Sequence, residues 1–382
     1  MPHPKNRPLQ NTEHARPGLY IHIPFCRSKC PYCDFYSIAS LTPAEKWLEA
    51  LKKEMRMYCL PCKFDTVYLG GGTPSVLDTD MIDEILETAR ANFRFYDDME
   101  ITIEVNPGDI TSEKAEGLKA SGINRVNLGV QSFDDRDLSF LGRRHSSADA
   151  ENACKNLRKA GFENIGIDLI YGLQGQTVEA WLKTLEKALE LKPEHISCYQ
   201  LTIEGKTVFK ALKKKGKLCD LPEEDAESFF IKTSDLLEAG GYIHYEVSNF
   251  ASGPEYRSRH NIKYWNRTPC LGLGPSAHSF DGHKRWWNHS SVKKYLRDIT
   301  AGIPPVDGSE LLTEEQALLE KVSLLLRTEG GVEIKDLVLF PDAENKIQEL
   351  ELSGHLIIRE GRIVPTKKGL LVADRLPLYI TD

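Results

Sequence analysis

Three cysteines near the N-terminus have the types and spacing to hold an iron–sulfur cluster. Cys26, Cys30 and Cys33 directly follow an apolar run, residues 18–25, that predicts a β-strand. A [4Fe–4S] cube held by three cysteines leaves one iron open to a small molecule, whereas a structural zinc site requires a fourth ligand. The pattern favours the cube. It leaves open a zinc site completed by a distant histidine, or three unconnected core cysteines.

A glycine-rich segment could bring a ligand close to the backbone. Residues 70–74 have the sequence GGGTP and directly follow a second apolar run, residues 66–69. Glycines permit close approach, and their exposed carbonyls can receive an ammonium group. The spacing is that of neither a dinucleotide fingerprint nor a phosphate loop. On its own, this segment is equally consistent with a simple tight turn.

The elements that must position these residues form an alternating strand–helix series. The predicted strands are residues 18–25, 66–69, 100–105, 125–131, 164–170 and 195–201. Helical periodicity follows them, most clearly over 177–191 and 112–120. Such alternation predicts an α/β fold with a parallel sheet, because parallel neighbours need a crossover connection. Six units are fewer than the eight of a complete barrel, so both an open sheet and a partial barrel fit.

Polar residues are predicted at the carboxyl ends of these strands, where parallel barrels place their functional sites. They are Glu104, Gln131 and Asp168, and the cysteine and glycine loops follow strands one and two. Each carboxylate alone is commonly a loop cap or an ion-pair partner. Together these groups predict a cavity for a polar cofactor with an amine, a carboxylate and ribose hydroxyls.

Composition narrows the class of protein. The chain has 382 residues, a net charge of −7 and nine cysteines. The acidic balance argues against nucleic acid, whose binding depends on Lys and Arg. An odd cysteine count with no apolar signal segment predicts a reducing, cytoplasmic location without disulfides. No apolar run approaches the roughly 18 residues that a membrane span needs, so at most peripheral membrane association is expected.

Four segments are predicted along the chain. Residues 1–17 form a flexible tail, 18–245 the α/β core, 246–307 a segment flanking the barrel, and 308–382 a small α+β domain like a winged helix. Two prolines within 301–308 indicate a linker. The last domain carries an excess of acidic residues, which disfavours DNA reading and favours a packing role.

The sequence resembles the radical S-adenosylmethionine superfamily. The cysteine pattern of residues 26–33 and the GGGTP of 70–74 are its most specific signatures. YIHIPFC at 20–26, GVQSF at 129–133 and DLIYG at 168–172 resemble the branch of oxygen-independent coproporphyrinogen III dehydrogenases and heme chaperones. The resemblance covers about residues 18–300. It implies a partial (β/α)6 barrel whose [4Fe–4S] cluster binds S-adenosylmethionine through its open iron.

The resemblance also assigns roles to individual residues. It implies that Cys26, Cys30 and Cys33 hold the cluster. The residues that it places around S-adenosylmethionine are Tyr20, Tyr32, Gly71, Gly72, Thr73, Glu104, Gln131, Arg143 and Asp168. Read from the sequence alone, Arg143 is also consistent with an ordinary surface arginine.

Two features are most similar to the heme chaperone branch, HemW. Dehydrogenases of the family have a fourth cysteine where this chain has Phe35. The segment RHNIKYW, 259–265, matches the branch's HNxxYW heme motif, which predicts His260 as a heme ligand. A loop histidine is otherwise most often just hydrogen-bonded. Cys270 and His278 are alternative ligands with weaker claims.

The resemblance therefore implies a heme chaperone that hands heme to respiratory hemoproteins, and allows a homodimer. The alternative is an enzyme that oxidatively decarboxylates coproporphyrinogen III through a 5′-deoxyadenosyl radical. The missing fourth cysteine argues against that chemistry and leaves cleavage of S-adenosylmethionine open. A third, weaker hypothesis is a DNA-binding regulator that senses redox state through the cluster.

Overall fold

The computed structural model describes residues 16–203, 205–337 and 339–381. Most of the predicted N-terminal tail, residues 1–15, lies outside them. The strands are β1 (Gly18–Ile23), β2 (Lys63–Gly71), β3 (Arg94–Val105), β4 (Arg125–Gln131), β5 (Ile165–Tyr171), β6 (His195–Gln200), β7 (Ile243–Glu246), β8 (Asn249–Ala251), β9 (Cys270–Leu273), β10 (His278–Phe280), β11 (Lys284–Asn288), β12 (Val306–Leu311), β13 (Val332–Glu333), β14 (Leu356–Arg359) and β15 (Arg362–Pro365). The helices are α1 (Ala44–Met57), α2 (Thr79–Asn92), α3 (Ser112–Ala120), α4 (Asp135–Phe140), α5 (Ser147–Lys159), α6 (Val178–Glu190), α7 (Val208–Lys214), α8 (Glu223–Ala239), α9 (Arg259–Trp265), α10 (Val292–Thr300), α11 (Glu314–Leu325), α12 (Ile334–Leu337), α13 (Ala343–Leu352), α14 (Lys367–Leu371) and α15 (Arg375–Thr381).

Two compact units divide the chain. The first contains residues 16–129, 142–165 and 268–311. Its strands are ordered β12-β11-β10-β9-β1-β2-β3-β4. The β9, β1, β2, β3 and β4 strands pair in parallel, and β10, β11 and β12 continue the sheet in antiparallel fashion. The carboxyl ends of β1, β2 and β3 therefore meet at one edge.

The first unit buries both faces of its parallel strands. Leu19, Ile21 and Ile23 of β1 are fully buried, as is Trp47 of α1. Strands covered on both sides are typical of parallel sheets. The helices begin at polar caps where the sequence predicts them; for example, the Thr111 side chain accepts a hydrogen bond from the backbone of the first turn of α3.

A buried carboxylate connects α1 to a region more than 200 residues later in the chain, around β9, β11 and α10. Glu54 accepts hydrogen bonds from the backbone N of Gly274 at 2.8 Å, from Nδ2 of Asn288 at 2.7 Å and from the hydroxyl of Tyr295 at 2.7 Å. Burial raises the pKa of Glu54 to about 7, against these three hydrogen bonds. The α1 helix therefore anchors β9, β11 and α10.

The second unit contains residues 130–141, 166–267 and 312–381. Its main strands are ordered β5-β6-β8-β7, with β5 and β6 parallel. A separate three-stranded sheet, β13-β15-β14, packs with the last helices around Val322, Leu356 and Ile380. This small α+β module includes the hairpin that the sequence predicts on either side of 360–361.

The α/β fold with six successive strand–helix repeats, β1 to β6, is confirmed. The predicted segments 125–131 and 112–120 coincide with β4 and α3. The interpretation of 301–308 as a linker is wrong at its end, because Val306 begins β12. Prolines are compatible with an edge strand when they precede it, and β12 lies at the edge of the first unit's sheet. The segment boundaries at 245 and 307 stay predictions.

Candidate functional site

The cysteine loop is closed at its base by backbone hydrogen bonds. The N–H of Cys26 donates to the carbonyl of Ile38 at 3.0 Å, and the N–H of Ile38 donates to the carbonyl of Pro24 at 2.8 Å. Cys26 is buried, whereas Cys30 and Cys33 are partly exposed, and all three are free thiols. The loop thus presents three sulfur ligands from one short, closed segment.

Two side chains donate hydrogen bonds toward these sulfurs. The Thr73 hydroxyl lies 3.4 Å from Sγ of Cys26, and Nη1 of Arg143 lies 3.5 Å from Sγ of Cys30. Nη2 of Arg143 also donates to the carbonyl of Gly129 at 2.6 Å, which fixes the guanidinium. Donors aimed at sulfur stabilise thiolates that bind iron. Arg143 is therefore not an ordinary surface arginine.

The thiols are not arranged around a single metal ion. In the part of the chain that the structure describes, no group of three or more His, Cys, Asp or Glu side chains is placed to hold one ion. A mononuclear zinc site would require such convergence. In a [4Fe–4S] cube, each cysteine binds its own iron at a separate corner. Three thiols on one short loop could each supply a ligand to a separate iron of such a cube.

The glycine loop is joined to the cysteine loop by its backbone. The N–H of Gly72 donates to the carbonyl of Ile23 at 2.8 Å, and the N–H of Thr73 donates to the carbonyl of Phe25 at 2.7 Å. A Cβ on Gly72 would stand 2.5 Å from the Phe25 carbonyl oxygen. Only glycine permits this close junction.

A buried histidine that the sequence reasoning missed lies beneath the glycine loop. A Cβ on Gly71, whose φ is +107°, would lie 2.6 Å from the His22 ring. Nε2 of His22 lies 2.9 Å from the Tyr36 carbonyl oxygen, so this nitrogen carries the proton. Nδ1 then accepts from the Tyr20 hydroxyl at 3.2 Å. Burial lowers the pKa of His22 to about 4, which keeps the ring neutral.

Glu104 joins the same group of side chains. The Tyr68 hydroxyl donates to Oε1 of Glu104 at 2.8 Å, and the rings of Tyr20 and Tyr68 stack at 6.1 Å. A Cβ on Gly70 would meet the Glu104 carboxyl at 3.2 Å. The structure therefore brings together the two tyrosines, the carboxylate and the glycine loop at the edge where β1, β2 and β3 end.

The other predicted cofactor residues are distributed over both units. Tyr32 follows Cys30 in the first unit, and burial raises the pKa of its hydroxyl. In the second unit, Gln131 ends β4 with φ of +72°, a left-handed conformation that a non-glycine residue rarely adopts. Asp168 lies at the middle of β5, opposite Ser197, rather than at its carboxyl end.

The predicted heme histidine lies in α9 of the second unit. His260 is 1% exposed, and its Nε2 lies 3.0 Å from the Tyr264 hydroxyl one helical turn later. The Tyr264 side chain itself is exposed. The motif thus forms a short helix whose histidine is covered by its own tyrosine.

Comparisons with known proteins agree with this geometry. The family model described as the Radical SAM superfamily matches residues 20–188. The heme chaperone HemW of Lactococcus lactis is 36% identical, covering 96% of this chain and 93% of its own. The heme chaperone HemW of Bacillus subtilis is also 36% identical, covering 94% and 97% respectively.

A solved structure shares the fold. The coproporphyrinogen III oxidase HemN of Escherichia coli, described as a radical SAM enzyme, superposes with a TM-score of 0.82 at 25% identity. The match covers 96% of this chain and 90% of HemN. The predicted α/β fold of the partial-barrel type, with its small C-terminal module, is confirmed. Among the described residues, no helix combines the length and the apolar character needed to cross a bilayer.

Proposed function

The chain belongs to the radical S-adenosylmethionine superfamily and to its HemW family, and from this membership we propose that it binds heme and transfers it to respiratory hemoproteins. The observation that carries the proposal is the similarity to proteins named heme chaperone HemW along nearly the full length of both chains. Phe35 supports it, because this exposed side chain stands where family dehydrogenases have a fourth cysteine.

Membership of the superfamily implies a [4Fe–4S] cluster and S-adenosylmethionine. In the proposed site, Cys26, Cys30 and Cys33 hold the cluster, whose open iron binds S-adenosylmethionine and supplies one-electron chemistry. Thr73 and Arg143 donate hydrogen bonds to two of the sulfurs. These donors stabilise the thiolate form and the orientation of the loop.

The proposed S-adenosylmethionine site combines backbone and side-chain contacts. Gly71, Gly72 and Thr73 leave the backbone accessible for the methionine amine and carboxylate. Glu104 accepts a hydrogen bond from Tyr68 and retains acceptor capacity for ribose hydroxyls. Tyr20, oriented by His22, borders the same edge. The remaining members of this proposal are Tyr32, Gln131, Arg143 and Asp168.

His260 is the heme ligand proposed from the sequence motif. Its Nε2 is within hydrogen-bond distance of the Tyr264 hydroxyl, so iron ligation would require the tyrosine to release it. Replacing Tyr264 by Phe removes that competitor. If His260 binds iron, Tyr264→Phe should raise heme affinity while His260→Ala lowers it.

The proposed partners are heme and the hemoproteins of respiration, in the cytoplasm, with at most peripheral contact with the membrane. A homodimer and the absence of nucleic acid as a partner are part of the same proposal. Membership of the HemW family, rather than any contact that the described residues make, supports these partners.

A transfer experiment tests the function. The anaerobically reconstituted chain is loaded with heme and mixed with a heme-free respiratory cytochrome, and appearance of the holocytochrome spectrum is followed. We expect transfer from the wild type. A Cys30→Ser variant should lose the cluster's iron and its visible absorption, while Cys59→Ser, at an exposed free cysteine, should retain both. A wild type that takes up no heme would contradict the proposal.

A second candidate, coproporphyrinogen III oxidation, is favoured by the structural similarity to HemN. Incubation with coproporphyrinogen III, S-adenosylmethionine and a reductant, without oxygen, distinguishes the two. Protoporphyrinogen formed over many turnovers would establish the enzyme. No product from a protein with an intact cluster spectrum would leave heme carriage as the function.

A further inference from the structure

A buried carboxylate, Asp109, contacts both the cysteine loop and the segment that follows the glycine loop. Asp109 lies in the turn after β3, and its side chain is 3% exposed. Its Oδ1 lies 3.3 Å from Nε of Arg27 and 3.3 Å from Nη2 of Arg144. Its Oδ2 accepts a hydrogen bond from the Ser75 hydroxyl at 2.8 Å. One carboxylate therefore holds three separate segments of the first unit.

The contact with Ser75 fixes the neighbourhood of the residue that donates to Cys26. Ser75 is buried, and its hydroxyl also accepts a hydrogen bond from the backbone N of Asn106 at 3.0 Å. It lies in the short 3-10 helix Pro74–Val76, which begins directly after Thr73. The Thr73 hydroxyl lies 3.4 Å from Sγ of Cys26. Holding Ser75 therefore restricts where the Thr73 donor can point.

The contact with Arg144 lies in residues 142–145, which come between α4 and α5 in the sequence. This segment rests on the cysteine loop, because a Cβ on Gly142 would lie 2.8 Å from Cδ of Pro31. It also packs on the turn that follows β3, where a Cβ on Gly108 would lie 3.6 Å from Cβ of His145. Side-chain contacts, rather than a helix or strand, therefore fix its course.

Arg143 and Arg144 leave this segment from adjacent positions and have different partners. Arg144 pairs with Asp109. Arg143 donates to the carbonyl of Gly129 at 2.6 Å, and its Nη1 lies 3.5 Å from Sγ of Cys30. The backbone between the two arginines is common to both. An ion pair that anchors Arg144 therefore also limits the positions that the Arg143 guanidinium can take.

We propose that Asp109 is a positioning residue of the cluster site, which acts through Thr73 and Arg143 to keep both hydrogen bonds on the cysteine sulfurs. The inference rests on the cluster proposed above. Hydrogen bonds to the sulfurs of an iron–sulfur cluster stabilise its reduced, more negative form and so raise its reduction potential. Groups that orient the ligands in this way also slow the loss of metal.

The sign of the change in potential separates positioning from simple electrostatics. Asp109→Asn keeps the size of the side chain and an oxygen for the Ser75 hydroxyl, but it removes the charge that holds the two arginines. If Asp109 acted only through its charge, losing that negative charge would make the cluster easier to reduce. Because it holds the two donors, their release makes the cluster harder to reduce.

The test is a redox titration of the anaerobically reconstituted full-length chain, followed by electron paramagnetic resonance of the reduced cluster. At the potential where half of the wild-type cluster is reduced, the ratio of reduced to oxidised cluster in Asp109→Asn should be roughly fivefold lower, the worth of about one hydrogen bond. A chelator should remove its iron roughly tenfold faster. The matched control is Glu54→Gln, at another buried carboxylate of the same unit that accepts three hydrogen bonds. It should retain the wild-type potential and rate of iron loss.

A double-mutant cycle tests whether Asp109 acts through Arg143. Arg143→Met removes the donor to Cys30 and should itself lower the potential. In that background, Asp109→Asn should lower the potential less than it does in the wild type, because one of the donors that it positions is already gone. Additive effects would overturn the proposal. So would a potential in Asp109→Asn that equals or exceeds that of the wild type.

Two further variants keep the proposal testable if Asp109→Asn does not fold. Ser75→Ala removes the hydroxyl contact and Arg144→Gln removes the ion pair, and each should lower the potential; wild-type potentials in both would overturn the proposal. A wild-type chain that assembles no cluster contradicts both the proposed cofactor and the role of Asp109. A wild-type chain with a cluster, together with unchanged potentials in all three variants, contradicts only the role of Asp109.

Discussion

Two regions of the first unit belong to the same sheet but are held together in different ways. The cysteine–glycine region, residues 18–38 and 63–74, is joined by short backbone hydrogen bonds between two loops. The β9–β12 extension, residues 270–311, pairs with β1 through β9, and the N–H of Val292 donates to the Tyr36 hydroxyl at 2.8 Å. Local motifs define the first region, whereas the fold alone places the extension beside it. A motif search therefore finds the cofactor loops and overlooks the extension.

Glu54 provides the sharpest test of that difference, because it supports the extension and not the loops. Its three hydrogen bonds bridge 220, 234 and 241 residues of sequence. Glu54→Ala leaves three buried donors without an acceptor, and we expect the free energy of unfolding to fall by about 4 kcal/mol. Chemical denaturation of the apoprotein measures the loss.

Amide hydrogen exchange and S-adenosylmethionine binding then locate the damage. Glu54→Ala should speed exchange in β9–β12 and α10 more than in residues 18–38 and 63–74, and should leave binding of S-adenosylmethionine nearly unchanged. Glu54→Gln, which retains the volume and one acceptor oxygen, is the matched control and should lose about half as much stability. Equally faster exchange in the two regions would show that both depend on Glu54 alike, and the comparison would fail.

Sequence periodicity predicted the parallel strands well because they are long and apolar. It missed β9, since Cys270–Leu273 is only four residues long and contains a glycine. That strand is stabilised by pairing with β1, a contact between residues some 250 positions apart that local patterns do not encode.

The candidate site could be picked out of the sequence where its chemistry requires fixed spacing. The thiols and GGGTP directly follow predicted strands, and Glu104 lies near the carboxyl end of one. His22 was missed although it lies within YIHIPFC, because a single histidine in a strand carries no spacing signal. The run of three glycines was the available clue, because glycine is required where another group occupies the space of a Cβ, as the His22 ring does at Gly71.

The protonation of His22 gives a second, smaller test of the cysteine–glycine region. Its pKa is about 4 in the folded protein and about 6.5 when unfolded. Below pH 6.5 the unfolded chain therefore binds a proton that the folded chain does not. Stability should fall as the pH drops from 6.5 to 4, by up to about 3 kcal/mol from this residue.

The difference between wild type and a His22→Asn variant isolates that contribution. The contribution of Glu54 to stability depends on pH in the opposite sense, because burial raises its pKa to about 7. That contribution is greatest at low pH and is lost as the pH rises from 4.5 through 7. His283→Asn, at an exposed position, should retain the wild-type pH profile. A His22→Asn profile parallel to that of the wild type between pH 4 and 6.5 would mean that the ring is not buried as a neutral base.

Gly71→Ala probes the smallest effect, the contact between the glycine loop and the His22 ring. The φ of +107° strains any residue with a Cβ, and the added methyl would lie 2.6 Å from the ring. We expect a loss of about 2 kcal/mol in stability. Affinity for S-adenosylmethionine should also fall, because displacing His22 releases the Tyr20 hydroxyl.

Gly175→Ala is the matched control for backbone strain alone. Its φ is +80°, and a Cβ there would meet nothing within 4 Å. Gly175→Ala should lower the free energy of unfolding by about 1 kcal/mol and leave S-adenosylmethionine binding unchanged. The difference between the two variants measures the His22 contact. If they prove equally destabilised and equally competent to bind the cofactor, the glycine loop is fixed by its backbone hydrogen bonds, and His22 merely fills space beneath it.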